Sequence, residues 1–193
     1  MKTEYDKIGL DYREKPIIID PPITDPEGLR SHMETYLTIL MAQQILRELP
    51  ETVCLIGGIA AACHVGKVYR EHGDVDLAVP AEFYYDELQQ RPDLLSWSGD
   101  DVFTLLRTTV PGENTGGRPV KIDFFVYGRD GISHEIEGIR RNVPLLGSYP
   151  ISATEILLAG IPLRVAPKQI IVGLKAIDSS PKGRLDFAKL TSR

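Results

Sequence analysis

Leu55-Ile-Gly-Gly-Ile-Ala-Ala-Ala-Cys-His-Val65, followed after Gly66-Lys67 by Val68-Tyr-Arg-Glu-His-Gly-Asp-Val-Asp-Leu-Ala-Val79, decides the fold. It reads as strand, glycine turn, helix, loop, strand. Thr52 to Ile56 is a short aliphatic run that stops at Gly57 and Gly58, where positive φ and close backbone approach to a ligand are allowed. Ile59 to Val65 is alanine-rich and apolar, a good helix former, and its free N-terminal amides beside the two glycines predict an anion site with phosphate as the guest. Val75, Leu77 and Val79 alternate with Asp74, Asp76 and Ala78, so a strand here buries one row and puts both carboxylates on the other. Two such acids lie roughly 7 Å apart along a strand, a spacing that suits shared divalent cations. The competing reading of Asp-x-Asp is solvated turn chemistry.

A third acid, Asp123, sits inside Val120-Lys-Ile-Asp-Phe-Phe-Val-Tyr127, the most strand-like run in the chain. Val120, Ile122, Phe124 and Val126 make one face and Asp123 falls on the other. An acid in such a run is costly to bury unpaired and needs a cation or water. A metal shared with Asp74 and Asp76 would supply one; the alternative is an edge strand whose Lys121 and Asp123 face is wet.

Gly57-Gly58, then Asp74-Val75-Asp76 between apolar neighbours, then a lone Asp123 in a later strand, resembles the nucleotidyltransferase superfamily that includes DNA polymerase β. Gly57-Gly58-x-Ala60 and Arg70-x-His72-x-Asp74-Val75-Asp76 are most similar to the aminoglycoside and lincosamide nucleotidyltransferases, with Ile59 where their signature has tryptophan. The likeness is specific from Leu55 to Val79, weaker at Asp123, and extends to a C-terminal pattern from Gly160 through Arg184-x-Asp186 to Leu190. It implies an α/β (α+β) fold, a nucleotidyltransferase-like mixed sheet flanked by helices with a small C-terminal helical element. It also implies transfer of a nucleoside monophosphate from a nucleoside triphosphate, expected to be ATP, to an acceptor hydroxyl by a two-metal mechanism. On that resemblance Asp74 and Asp76 hold Mg2+ on the nucleotide, and Asp123 binds a second ion or deprotonates the acceptor. Gly57, Gly58, Arg70, His72 and Lys175 are the nucleotide-binding candidates. Each of the last three has a plainer reading: a surface ion pair for Arg70, a loop hydrogen-bonding link for His72, a solvated helix face for Lys175 and its neighbour candidate Lys168. His64 reads as structural, Asp186 as structural with an ion pair to Arg184, and Trp97 as core.

A chain of 193 residues, 42% hydrophobic and 25% charged, suits one domain with a sizeable core. Residues 1–23 read as an N-terminal arm and 24–193 as the nucleotidyltransferase-like domain, with its core motif at 52–127 and C-terminal strands and helices at 150–193. The net charge of -5 disfavours broad nucleic-acid binding and suits a small polar or cationic acceptor. Cys54 and Cys63 have neither metal-ligand spacing nor the look of a disulfide framework, so they read as buried free thiols. With no membrane-length apolar run and no secretory signal, a cytoplasmic location is expected. Two other functions compete: a toxin-like transferase acting on tRNA or protein, and an inactive module that binds nucleotide or a partner.

The remaining elements follow from punctuation. Ile17 to Asp20 is an edge strand or arm between prolines, and Thr24 or Asp25 caps a helix running to Glu48 with Leu29, Met33, Leu37, Leu40 and Met41 in one stripe. A short helix spans Phe83 to Gln90 and ends at Arg91-Pro92. Strands from Leu94 to Ser98 and Val102 to Thr109 surround Gly99-Asp-Asp101, and Pro111 to Pro119 is a loop. Two short strands lie near Ile151 and Leu163. A helix starts at Pro167 and ends near Ile177, and Pro181 begins the last one.

Overall fold

The computed structural model describes residues 15–90, 103–108, 120–136, 139–143 and 149–192. The expected strand from Leu94 to Ser98, the Gly99 turn, Trp97, the Arg91-Pro92 stop and the Pro111 loop lie outside them. In chain order the elements begin with β1 (Ile18–Ile23), α1 (Pro26–Ser31), α2 (Met33–Glu48), β2 (Cys54–Leu55) and α3 (Gly57–Val65). β3 (Val68–Arg70), β4 (Asp74–Pro80), α4 (Ala81–Asp86), β5 (Phe103–Thr108) and β6 (Val120–Gly128) follow. The chain continues with β7 (Gly131–Ile136), β8 (Ile139–Val143), β9 (Thr154–Leu158), β10 (Ile161–Val165), α5 (Lys168–Ile177) and α6 (Pro181–Thr191). A single 3-10 turn at Leu88–Gln90 completes the short helix after Pro80.

The mixed sheet flanked by helices that the sequence implies is the one observed. Its strands run in the order β8-β7-β6-β4-β2-β10-β9, with β5 paired to β6. β4 and β6 lie side by side and parallel, Asp76 opposite Asp123, while β2 runs antiparallel to β4. β6 is therefore central: β4 covers one side, and β5 and β7 share the other. The wet-edge alternative for Asp123 fails on this topology. Val75, Leu77, Val79, Ile122 and Phe124 are all buried, as the alternation requires, and each such side chain stabilises the fold by about 1.5–3 kcal/mol. Tyr127, at the end of β6, ties the sheet's far end together: its hydroxyl donates to the Thr52 carbonyl and accepts from the Ile151 amide, each at 3.1 Å.

Several elements depart from expectation for identifiable reasons. The N-terminal helix is broken at His32, whose amide bonds back to the Leu29 carbonyl at 3.0 Å in the tighter i to i-3 pattern. That break rotates the second segment. Leu29 and Met41 stay buried, but Met33 is 51% exposed, and the inward row of α2 is Thr35, Thr38, Ile39, Ala42 and Leu46. Asp25 is the cap, its Oδ1 accepting from the Gly28 amide at 2.8 Å. β1 pairs antiparallel with β3 and buries Ile19 and Ile23. The strand expected near Ile151 starts only at Thr154, because Ala159 (φ 48) and Gly160 (φ 79) form the two-residue turn that fixes the β9–β10 register. Both cysteines are buried free thiols, their pKa pushed up to about 12 by that burial.

Candidate active site

α3 begins where β2 ends. The Ile56 amide donates to the Asp76 carbonyl at 3.0 Å, and Gly57 then turns into the helix with φ 69. The need for glycine here is steric as well as torsional: a Cβ on Gly57 would stand 1.7 Å from Asp76 Oδ2. The absent side chain is the space in which the Asp76 carboxylate lies. Gly58 fills the same role for a different partner, since its Cβ would come within 2.3 Å of Arg70 Nη2 and 3.0 Å of His72 Nδ1. A side chain at 58 therefore strikes Arg70 and His72. α3 itself is buried from Gly58 to Cys63 and ends at Gly66, φ 77, so its position is fixed by the core on every side.

The three carboxylates reach this corner from adjacent strands. Asp74 and Asp76 are half-buried on one face of β4, and Asp123 is 5% exposed on β6, directly across from Asp76. Among the described residues no group of three or more His, Cys, Asp or Glu side chains is gathered closely enough to hold a metal. The donors nevertheless suit a hard cation: all are carboxylate oxygens, the type Mg2+ takes, and the Gly57 gap leaves the Asp76 carboxylate room beside the helix N-terminus.

Beneath the glycine turn lies a polar cluster that sequence reasoning only partly anticipated. Arg70 is 4% exposed and donates from Nε and Nη2 to the two oxygens of Asp186, each at 2.8 Å, while Nη1 donates to the Glu71 carbonyl at 2.9 Å. Asp186, fully buried, also accepts from the Tyr69 hydroxyl at 2.9 Å and lies 3.2 Å from Lys175 Nζ. Lys175 reaches Asp178 as well, at 3.5 Å. The expected Arg184 partner for Asp186 is thus replaced by Arg70 and Lys175. Residues two apart on a helix face different ways, and Arg184 is exposed. Arg70 is committed to Asp186 rather than offered freely to a phosphate, and Lys175 is a buried ion pair rather than a solvated one.

The electrostatics follow from this packing. Burial works against the Asp186 charge, but the Arg70 hydrogen bonds and Lys175 override it and hold the carboxyl at about 2. Burial likewise works against Lys175, and the carboxylates of Asp186, Asp178 and Asp76 keep it above the ordinary lysine value. For His72 the compensation fails. Burial first, then the Arg70 charge, with Lys175 and Lys182 behind it, outweigh the opposing Asp186 carboxylate and hold its pKa far below the usual histidine value. Its amide donates to Thr35 Oγ1 at 3.0 Å, yet neither ring nitrogen has a hydrogen-bond partner among the described residues. His64 is structural, as expected: its Nε2 bonds the Ala166 carbonyl at 2.7 Å. Lys168 is exposed at the start of α5.

The sequence carried one signal for the cluster that was not used. Gly183, Asp186 and Leu190 form a buried row on α6, and an acid in such a row demands cations. A groove of about 710 Å³, lined by Gln43, Thr52, Ser152 and Arg164 among others, opens near Thr52, at the end of β2 away from the glycine turn, and holds none of these groups.

No protein-family model matches the chain, and no curated protein matches it in sequence. The fold is similar to solved nucleotidyltransferases. They include the lincosamide antibiotic adenylyltransferase LnuA with lincomycin bound, at 16% identity over 82% of this chain and 97% of that one, TM-score 0.49. They also include ANT(2'')-Ia in complex with adenylyl-2''-tobramycin, at 19% identity over 83% of this chain and 87% of that one, TM-score 0.46. An antigenic nucleotidyltransferase-like protein from Paracoccidioides brasiliensis is 16% identical over 88% of this chain and 76% of that one, TM-score 0.45. The overlap with each is partial.

Proposed function

We propose that the protein is a metal-dependent nucleotidyltransferase that moves a nucleoside monophosphate from a nucleoside triphosphate, ATP in the first instance, to a hydroxyl of a small-molecule acceptor. The observation that carries this is the meeting of Asp76 and Asp123 across β4 and β6 with the Asp76 carboxylate seated in the gap left by Gly57, at the N-terminus of α3. A helix N-terminus and neighbouring carboxylates on two adjacent strands then share one corner, the combination that supports binding of a metal-chelated polyphosphate.

In this proposal the first amides of α3, with its helix dipole, receive phosphate oxygens. Asp74 and Asp76 would hold Mg2+ on the nucleotide; when bound, the ion would neutralise charge on the polyphosphate and on the leaving pyrophosphate. Asp123, buried on the strand next to Asp76, would orient the acceptor hydroxyl and take its proton. Lys175 adds positive charge on the Asp76 side. Arg70 and His72 act from beneath the turn, as support for Gly58. The net charge of -5 favours acceptors that are neutral or cationic.

The test is transfer of label from α-labelled nucleoside triphosphates with Mg2+ to aminoglycosides, lincosamides, bulk tRNA and the protein itself. Wild type should label a small hydroxyl compound. Asp76→Asn, nearly isosteric, should lose that activity by about a hundredfold or more while keeping its fold by circular dichroism. Labelling of tRNA or of protein alone would move the acceptor to the toxin-like class, and full activity in Asp76→Asn would remove the metal assignment.

A further inference from the structure

Asp186 draws two cations and a phenol together beneath the glycine turn. Two cations converge on it, Arg70 through two hydrogen bonds of 2.8 Å and Lys175 at 3.2 Å, and the Tyr69 phenol donates to it as well. The Arg70 guanidinium lies against the glycine turn that also seats the candidate metal ligand Asp76. Gly57 and Gly58 are consecutive, and the missing Cβ of the first makes room for Asp76 while that of the second makes room for the Arg70 guanidinium. Asp76 acts electrostatically on Lys175, and Asp74 on Arg70. Arg70 and Lys175 therefore feel two sets of counter-charges, the Asp186 carboxylate on α6 that they contact and the carboxylates of β4.

We propose that Asp186 is a positioning residue that holds Arg70 and Lys175 as their internal counter-ion, so that neither closes on Asp74 and Asp76 in competition with a divalent cation. This rests on the metal-dependent transfer reading above and extends it to α6, which becomes part of the site without touching substrate. An ammonium that lost Asp186 would keep Asp178 and turn toward Asp76. A buried guanidinium that lost it would turn toward Asp74, because a buried charge without a partner seeks the nearest one.

The experiment is Mn2+ titration of nucleotide-free protein, followed by electron paramagnetic resonance, on wild type, Asp186→Asn, Lys175→Met and the double variant. Asp186→Asn should bind Mn2+ about tenfold more weakly or worse, one logarithmic unit being the size of a typical neighbouring-charge effect. Adding Lys175→Met to it should recover about threefold of that loss, the rest being the share of the released Arg70. Unchanged binding in Asp186→Asn, or a double variant as weak as the single one, overturns the proposal. If Asp186→Asn does not fold, Lys175→Met alone decides. With a competitor gone it should bind Mn2+ at least as tightly as wild type, and weaker binding overturns the proposal. A wild type that binds no Mn2+ at all strikes the metal-dependent reading itself, which separates that failure from a failure of the counter-ion role.

Discussion

Gly57 stands at the junction of the fold and the proposed chemistry. Its φ of 69 and the 1.7 Å approach of a hypothetical Cβ to Asp76 make two independent demands for glycine. Left-handed backbone costs a side-chain-bearing residue about 1–2 kcal/mol, and displacing Asp76 costs more. Gly57→Ala should thus lower stability by about 2–4 kcal/mol and weaken divalent cation binding, which thermal melts and Mn2+ titration would register together. A variant of wild-type stability would show that the turn is not held as described. His72 gives a pH signature of its own. Its folded pKa lies well below the 6.5 of an unhindered histidine, so the unfolded chain takes up a proton as pH falls through about 6.5 and the folded one does not. Stability should be full above that pH and decline by about 1.4 kcal/mol per unit below it. His64, also lowered by burial, adds to the decline. The Asp186 contribution has a different window, lost only as pH drops below the ordinary carboxylate range toward about 2. Denaturant melts from pH 8 to 5 on wild type and His72→Asn should differ by about one proton in slope; parallel curves would contradict the buried neutral histidine.

Elements were legible in the sequence where local chemistry alone sets them. Pro26, Pro167 and Pro181 mark helix starts that the structure keeps to within a residue, and Asp25 and Ser180 cap α1 and α6 through the Gly28 and Gly183 amides. Asp25→Ala should cost about 1 kcal/mol, detectable as a small drop in melting temperature with no change in transfer. The failures are tertiary. His32 breaks a helix that composition would have continued, and Thr35 and Thr38 face inward because their hydroxyls have partners, the His72 amide and the Glu34 carbonyl. An apolar-stripe rule scores those threonines as surface. Asp186 was misassigned to Arg184 for the same reason: its true partners are Arg70, more than a hundred residues earlier on β3, and Lys175 on the neighbouring helix α5, and only tertiary packing brings them to it.

For the molecule as a whole, the sheet does what no single element can. Asp74 and Asp76 were legible as one face of a strand, and Asp123 as an acid in an aromatic run, but only the parallel β4–β6 register sets Asp123 against Asp76. No helix among the described residues is long and apolar enough to cross a membrane. On the proposed function this corner binds a nucleoside triphosphate through a divalent cation and transfers its monophosphate. Asp123 separates binding from chemistry, because work done by it on the acceptor is felt in the transition state. The direct measurement is a paired determination, on wild type and Asp123→Asn, of nucleotide affinity by calorimetry with Mg2+ and of turnover with the acceptor found by labelling. Turnover should fall by about 10²–10⁴-fold while the dissociation constant stays within a few-fold; nucleotide binding of equal strength with a chelator in place of Mg2+, or undiminished turnover in the variant, would contradict the account.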